Sequence, residues 1–538
     1  MITLGQLKTK LVAGQISRRG FMEGALALGA TVAGAELMMG KALAAPSKGG
    51  AFKQALTGGA TSNSLDPAKI LDTYMINVNS GQLHNNLTEI GPDNQLRPDN
   101  QLRPELAESW EASADASTWT FKIRQGVEFH NGKTLDANDV VASFNHHLGE
   151  DTESAAKGIV KAITEVKADG NDTVVFTLEG GSADFPFLVS DYHLTICPAK
   201  ADGTMDWEGG TGTGSYKLIS FEPGVNTIVE RNPNYWKENA AHFDSIENLF
   251  IADATARTSG VMGGKLHSMS NLDLKTAGLL EKNPNVNLLT TYGNKHATLP
   301  MHADKAPFDD NNVRLALKWA IDRAQLVKTI LRGFGEAGND HPIGPANIYR
   351  ATADELPQRD YDADKAKYYL KQAGLDKLSV EFYVSGTAFE GAVEAGSLFQ
   401  ESARKAGIEI TLNRAPDDGY WSNVWLVKPF SASYWGGRPT EDWVFSQIYS
   451  KGADWNEAMW DHDRFNRILR WARAELNLTT RREMYVEMQR ILHDEGGSII
   501  PLFMAYTHAT SKKIGISDQV ASNWELDGHK NGERWWFA

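Results

Sequence analysis

Apolar and polar positions change their rhythm along this chain, and the changes mark out its elements. Residues 118–124, Thr-Trp-Thr-Phe-Lys-Ile-Arg, alternate with period two, as do 173–178, which predicts strands with one buried face. Between them 135–148 predicts a helix with Asp136 as its N-cap. Residues 53–66 predict a short strand and a turn ending at Asp66-Pro67, where proline forces an extended approach. A second extended run, 216–231, follows the glycines of 209–214. From 310 to 331, Val313, Leu317, Ile321, Ala324, Val327 and Leu331 fall on one face of a single predicted helix that Gly333 stops. Residues 364–373 repeat the pattern before Gly374. Strands at 378–384 and 408–412 flank a helix at 394–406, a βαβ arrangement. Helices at 463–476 and 481–493 then precede an apolar strand at 499–504. Mixed α/β lobes are the outcome.

One stretch breaks the rhythm. Asp-Asn-Gln-Leu-Arg-Pro occupies 93–98 and recurs at once at 99–104. A polar repeat between elements predicts a loop duplication, which costs little entropy; a solenoid needs longer units repeated several times.

A chain of 538 residues exceeds what one core usually supports, so two or three lobes are expected. The net charge of −14, with no basic run, argues against a nucleic-acid partner. Cys197 is the single cysteine, which excludes an intrachain disulfide, a thiolate-rich metal site and an acylated N-terminal cysteine.

The first 44 residues read as an address. Lys8, Lys10, Arg18 and Arg19 make the opening basic, and Ser17-Arg18-Arg19-Gly20-Phe21-Met22 has the twin-arginine pattern. A mild apolar stretch, 24–40, is too short and too polar for a membrane span, and it closes on the small-x-small signal Ala42-Leu43-Ala44. A soluble, periplasmic mature chain beginning near Ala45 is expected. The alternative is an ordinary amphipathic N-terminal helix.

Catalytic motifs find little support. Gly210-Thr211-Gly212-Thr213-Gly214 lacks both the dinucleotide spacing and the lysine of a phosphate loop, and a glycine turn entering a strand accounts for it. His146 and His147 are adjacent, so they face different sides of a helix and do not clamp one ion easily. His130 reads as a turn residue. Asp417-Asp418 and Glu441-Asp442 are carboxylate pairs without the separation a glycosidase uses, and no nucleophile elbow occurs. No catalytic residue, metal site or cofactor is expected. The aromatic residues Tyr420, Trp421, Trp425, Tyr434, Trp435 and Trp443, interrupted by Gly419, Gly436 and Gly437, suit either a loop wall against a ligand or core filling.

Four ordered blocks carry a resemblance. They are Leu102-Arg103-Pro104-Glu105-Leu106-Ala107-Glu108-Ser109-Trp110 with 120–132; Gly212-Thr213-Gly214-Ser215-Tyr216 with Arg231-Asn232-Pro233-Asn234-Tyr235-Trp236; Pro307-Phe308-Asp309-Asp310 with Ala320-Ile321-Asp322-Arg323; and Tyr361-Asp362-Ala363-Asp364-Lys365-Ala366. The chain resembles the extracellular solute-binding proteins of dipeptide, oligopeptide, nickel and opine ABC importers. That resemblance implies an α/β, three-lobed periplasmic-binding-protein fold of the Venus-flytrap type. Lobe I would comprise 45–92, 211–297 and 498–538, lobe II 93–210, and lobe III 298–497. It also implies a monomer that captures a small molecule or short peptide between lobes I and III and hands it to an inner-membrane permease. A nickel or metallophore carrier of the same fold is the alternative, and a secreted hydrolase the rival from another class.

Peptide-binding relatives place a tryptophan in lobe III and, three residues later, an aspartate that holds the peptide ammonium. Trp435 matches and Arg438 stands at the aspartate position. A guanidinium repels an ammonium but binds a carboxylate in bidentate fashion, so the resemblance with this departure implies an anionic, peptide-like or opine-like solute. Arg438 pairing locally with Glu441 or Asp442 is the competing reading. Gly436, Gly437, Tyr434, Tyr420 and Trp421 would accompany it, with Asp72, Thr73 and Tyr74 from lobe I and Tyr506 beside the return crossing.

Overall fold

The computed structural model describes residues 7, 10, 17–31, 46–92, 102–416, 419–453 and 455–538. Most of the expected elements form where their periodicity placed them. Thr118–Ile123 buries Trp119, Phe121 and Ile123 on one face and pairs antiparallel with Thr173–Leu178. With Ala107–Ala112 and Ile163–Ala168 these make a four-stranded antiparallel sheet. Against it packs the helix Ala137–Asn145, whose capping box joins Asp136 and Asp139. Leu378–Val384 and Ile408–Arg414 pair in parallel across the helix Ala392–Arg404, the expected βαβ unit.

Two further sheets organise the rest. The first has seven strands in the order Val286–Thr291, Tyr506–Ser511, Ser268–Met269, Ala51–Leu56, Ser245–Phe250, Asn226–Arg231 and Tyr216–Glu222. Its core includes Phe52, Tyr74, Tyr216, Phe243 and Trp535. The extended run 216–231 is therefore a hairpin, turned at Gly224, whose φ of +75° suits glycine. A second sheet orders Gly335–Ala337, Ser498–Met504, His296–Pro300 and Ser433–Trp435. The chain passes between the two sheets around Asn294 and again at Ala505, where Ser498–Met504 gives way to Tyr506–Ser511. Ser498–Met504 thus pairs with the four-stranded sheet, and Tyr506–Ser511 is the strand that joins the seven-stranded one.

Two expectations are corrected. The helix expected over 310–331 is two, Asn311–Ala320 and Arg323–Thr329. Ile321 is extended, and Asp322 restarts the helix by accepting from the Gln325 N–H. The break resets the phase, so Leu326 is buried while Ala324 is exposed. It also turns Arg323 inward, onto Asp340. The second correction concerns the repeat. Leu102–Pro104, the end of its second copy, is a strand paired with Thr88–Ile90 and not a loop; residues 93–101 lie outside the described residues.

At the N-terminus Arg18–Ala27 is a helix capped by Ser17, while the expected cleavage signal and mature start lie outside the described residues. Among the described residues no helix is long and apolar enough to cross a membrane.

Candidate ligand-binding site

The residues from 433 onward are placed by the four-stranded sheet. Ser433–Trp435 runs antiparallel to His296–Thr298, which buries Trp435 and leaves Tyr434 exposed. Gly436 and Gly437 come next, and a Cβ at Gly437 would press on Asn294 at 3.0 Å. Asn294 and Asn347 both donate to the Arg438 carbonyl, at 3.1 and 3.3 Å, so the backbone is pinned at that point. Beyond it Thr440 caps the short helix Glu441–Val444.

The Arg438 side chain is half-buried. Its Nε donates to Gln447 Oε1 at 2.8 Å, and Nη1 approaches the Gly436 carbonyl at 3.3 Å. The guanidinium lies 5.9 Å from the ring centres of both Trp435 and Trp443. Burial lowers its pKa, opposed by the neighbouring Tyr192 and Asp191. Among the described residues it has no carboxylate partner. The competing pairings do not form: Glu441 accepts from the Tyr349 N–H at 2.7 Å, and Asp442 pairs with Arg473 at 3.2 Å.

Arg438 opens onto a cavity of about 1660 Å³, larger than a typical drug-sized pocket. Its walls come from 76–90, Glu105, 145–193, 437–473 and 523–530, so separate stretches of the chain line it. Asp191, Tyr192, Gly437, Arg438, Trp443 and Trp524 stand together on that wall. Trp524 ties the sides: its ring would meet a Cβ on Gly436 at 3.4 Å, and Tyr192 packs edge-on against it at 6.1 Å.

The other sequence-derived candidates are placed elsewhere. Tyr420 is buried and donates to the Ala432 carbonyl at 2.7 Å, a packing role. Trp421 is exposed and contacts Trp425 and Tyr434 at 5.8 and 6.0 Å. Asp72 caps the helix Thr73–Val78 through the Met75 N–H, and Thr73 donates to the Thr57 carbonyl. Tyr74 lies in the core of the seven-stranded sheet, with its hydroxyl 3.0 Å from the Asn248 carbonyl. Tyr506 is buried, its hydroxyl 3.5 Å from the Asn523 carbonyl. Of the expected set, Gly437 and Arg438 line the cavity. Trp443, one of the aromatic residues singled out in the sequence, lines it too, while Tyr192, Gln447 and Trp524 line it unannounced, since each reaches it through a tertiary approach that no local pattern signals.

The residues set aside as catalytic have structural employment. His130 Nε2 lies 3.0 Å from the Gly214 carbonyl oxygen, and a Cβ on Gly212 or Gly214 would overlap the carbonyl oxygens of Leu83 or Gln82. That glycine run serves close backbone packing. His146 reaches Asp66 at 2.8 Å while His147 reaches Ser154 at 2.7 Å, on separate partners. Asp417 and Asp418 lie outside the described residues.

Mixed α/β units joined by two crossings, with a large cavity between them, define the class: a periplasmic-binding-protein fold. The model of bacterial extracellular solute-binding proteins, family 5, middle region, matches residues 101–457, and the chain belongs to that family. It is 25% identical over 438 residues to the dipeptide-binding protein of Escherichia coli K12, covering 73% of this chain and 79% of that one. It is also 25% identical to the glutathione-binding protein GsiB of Shigella boydii, covering 76% and 82%. The periplasmic binding protein DppA of Helicobacter pylori, solved with the peptide STSA, superposes with a TM-score of 0.73 at 21% identity, over 91% of this chain and 98% of that one. The chain is accordingly the substrate-binding protein of an ABC importer, a binding protein and not an enzyme.

Proposed function

We propose that this protein captures a peptide or amino-acid-derived solute bearing an anionic group, opine-like in character, and that Arg438 holds that group. One observation carries the reading: a half-buried guanidinium on the cavity wall whose protein partners are all neutral. Burying a cation without a counter-charge is costly, and a carboxylate from the solute relieves the cost. The relatives named for dipeptide and glutathione make a peptide-like body the natural companion. The expected lobe bounds at 297/298 and 497/498 are moved to 294/295 and 505/506, so that the seven-stranded sheet lies in the first lobe, the antiparallel sheet in the second and the sheet bearing Ser433–Trp435 in the third, while Thr88–Ile90 and Leu102–Pro104 pair across the first two. A monomer that closes on its solute and then meets the permease fits this arrangement.

A thermal-shift screen of peptides, opines and other amino-acid conjugates identifies the solute, and calorimetry measures it. Arg438→Ala should weaken binding by roughly 2–5 kcal/mol, and Arg438→Lys should recover only part, because lysine lacks the planar fork. Equal affinity in Arg438→Ala would end the reading. Stabilisation that appears only with added nickel would replace it by a metal-carrier reading.

Export of a folded chain through the twin-arginine segment completes the proposal. Replacing Arg18 and Arg19 together by lysine should leave precursor in the cytoplasm, as fractionation would reveal; normal processing of that variant would refute the assignment.

A further inference from the structure

The stretch Asp191–His193, at the end of the domain built on the antiparallel sheet, is fixed unusually firmly. The Asp191 carbonyl accepts from Asn86 at 2.7 Å, and its carboxylate accepts from the His193 N–H at 3.0 Å and lies 2.6 Å from His193 Nδ1. His193 Nε2 reaches the Ile70 carbonyl at 2.9 Å. Tyr192 stands between these anchors, its ring 4.1 Å from that of His193 and edge-on to Trp524. The Tyr192 carbonyl lies 3.4 Å from Asn79 Nδ2, which donates to it, but the Tyr192 hydroxyl is not used in this way. That group has no hydrogen-bond partner among the described residues and lies on the cavity wall, where the Asp191 carboxylate and, more weakly, the Arg438 guanidinium act on it in opposite senses. A phenol held rigidly at a cavity, with its donor unused and a guanidinium close by, is prepared for an acceptor that both can reach.

We propose that Tyr192 is a ligand-contacting, specificity-determining residue whose hydroxyl donates to the same anionic group that Arg438 holds. The domain inserted between the two halves of the seven-stranded sheet then takes part in recognition, and the site discriminates a free carboxylate from its amide. This rests on the proposed role of Arg438 as the anion-holding group.

The test uses two probes, N-acetyl-alanyl-alanine as free acid and as C-terminal amide, against the full chain and its Tyr192→Phe, Arg438→Ala and double variants. Phenylalanine keeps the ring contacts, and the hydroxyl has no protein partner to lose, so the melting temperature of Tyr192→Phe should match the wild type. Its affinity for the acid should fall about tenfold or more, as for a hydrogen bond to a charged group, with the amide unaffected. In the Arg438→Ala background the same change should cost less, because the two groups share one acceptor. Unchanged acid affinity in Tyr192→Phe, with Arg438→Ala impaired, overturns this inference alone. Equal losses for acid and amide overturn it as well, since the hydroxyl would not be reading charge. Failure of the wild type to bind either probe removes the anionic-peptide reading and this inference with it.

Discussion

Two guanidinium sites in the same protein are treated in opposite ways. Inside the lobe that carries the βαβ unit, Arg323 grips both oxygens of Asp340 at 2.7 and 2.8 Å, and Arg359 reaches the same carboxylate at 2.8 Å. The Ile500 N–H donates to Asp340 as well, and Lys318 beside them spends its ammonium on the Leu492 and His493 carbonyls. All four charged side chains are buried. The arginines hold the Asp340 carboxyl well below the usual range despite its burial. Arg438, at the cavity, meets only a glutamine, backbone carbonyls and two indole rings. Where a charge serves the fold its complement is built in; at the cavity the complement is left to the solute.

The comparison breaks most visibly at Asp340. Asp340→Asn strands two buried guanidinium groups and should lower stability by about 3–5 kcal/mol in urea unfolding, without solute. Arg438→Ala should do the reverse of that pattern: its unfolding should move by no more than about 1 kcal/mol, while solute affinity takes the larger loss. Comparable destabilisation by both variants would show that Arg438 serves the fold, and the contrast would dissolve.

Much of this architecture was legible because it is local. The period-two run at 118–123, the Asp136 cap and the glycine-ended helix before Gly374 each depend on neighbours in sequence, and each formed. The break at Ile321 was not legible: one continuous apolar face is satisfied almost equally by two shorter helices, and the buried pairing of Arg323 with Asp340 accompanies the second. Arg438 was found through a family pattern, but its lack of a carboxylate partner appears only once Glu441 is seen to accept from Tyr349 and Asp442 from Arg473. Tyr192 and Trp524 are more than 300 positions apart and meet at the cavity, a relation no spacing encodes.

Glu441 sharpens the comparison from the acid side and carries the smallest effect. Three residues from Arg438 but not paired with it, this buried carboxyl accepts the Tyr349 N–H, and burial pushes its pKa up to about 7, partly offset by that bond and by its own backbone N–H. Asp184 nearby raises it further and Arg481 lowers it. Proton linkage sets the sign. Below the unfolded carboxyl's pKa, roughly 4.3, both states hold the proton and Glu441 contributes no penalty. As pH rises towards 7 the unfolded chain releases its proton while the folded chain keeps it, so stability falls across that window and stays reduced above it. Glu441→Gln retains an acceptor oxygen for Tyr349 and removes the charge. The stability difference between variant and wild type should therefore grow in the variant's favour by about 1–3 kcal/mol between pH 4.5 and 8. Histidines such as His296 and His493, which burial pushes down to about 4, pull the other way, but they are common to both proteins and cancel in the difference. A constant offset from the new amide cancels too, since only the slope with pH is read. A flat difference across that range would mean that Glu441 finds a cationic partner in solution, with Arg481, the arginine whose charge already reaches it, the first candidate.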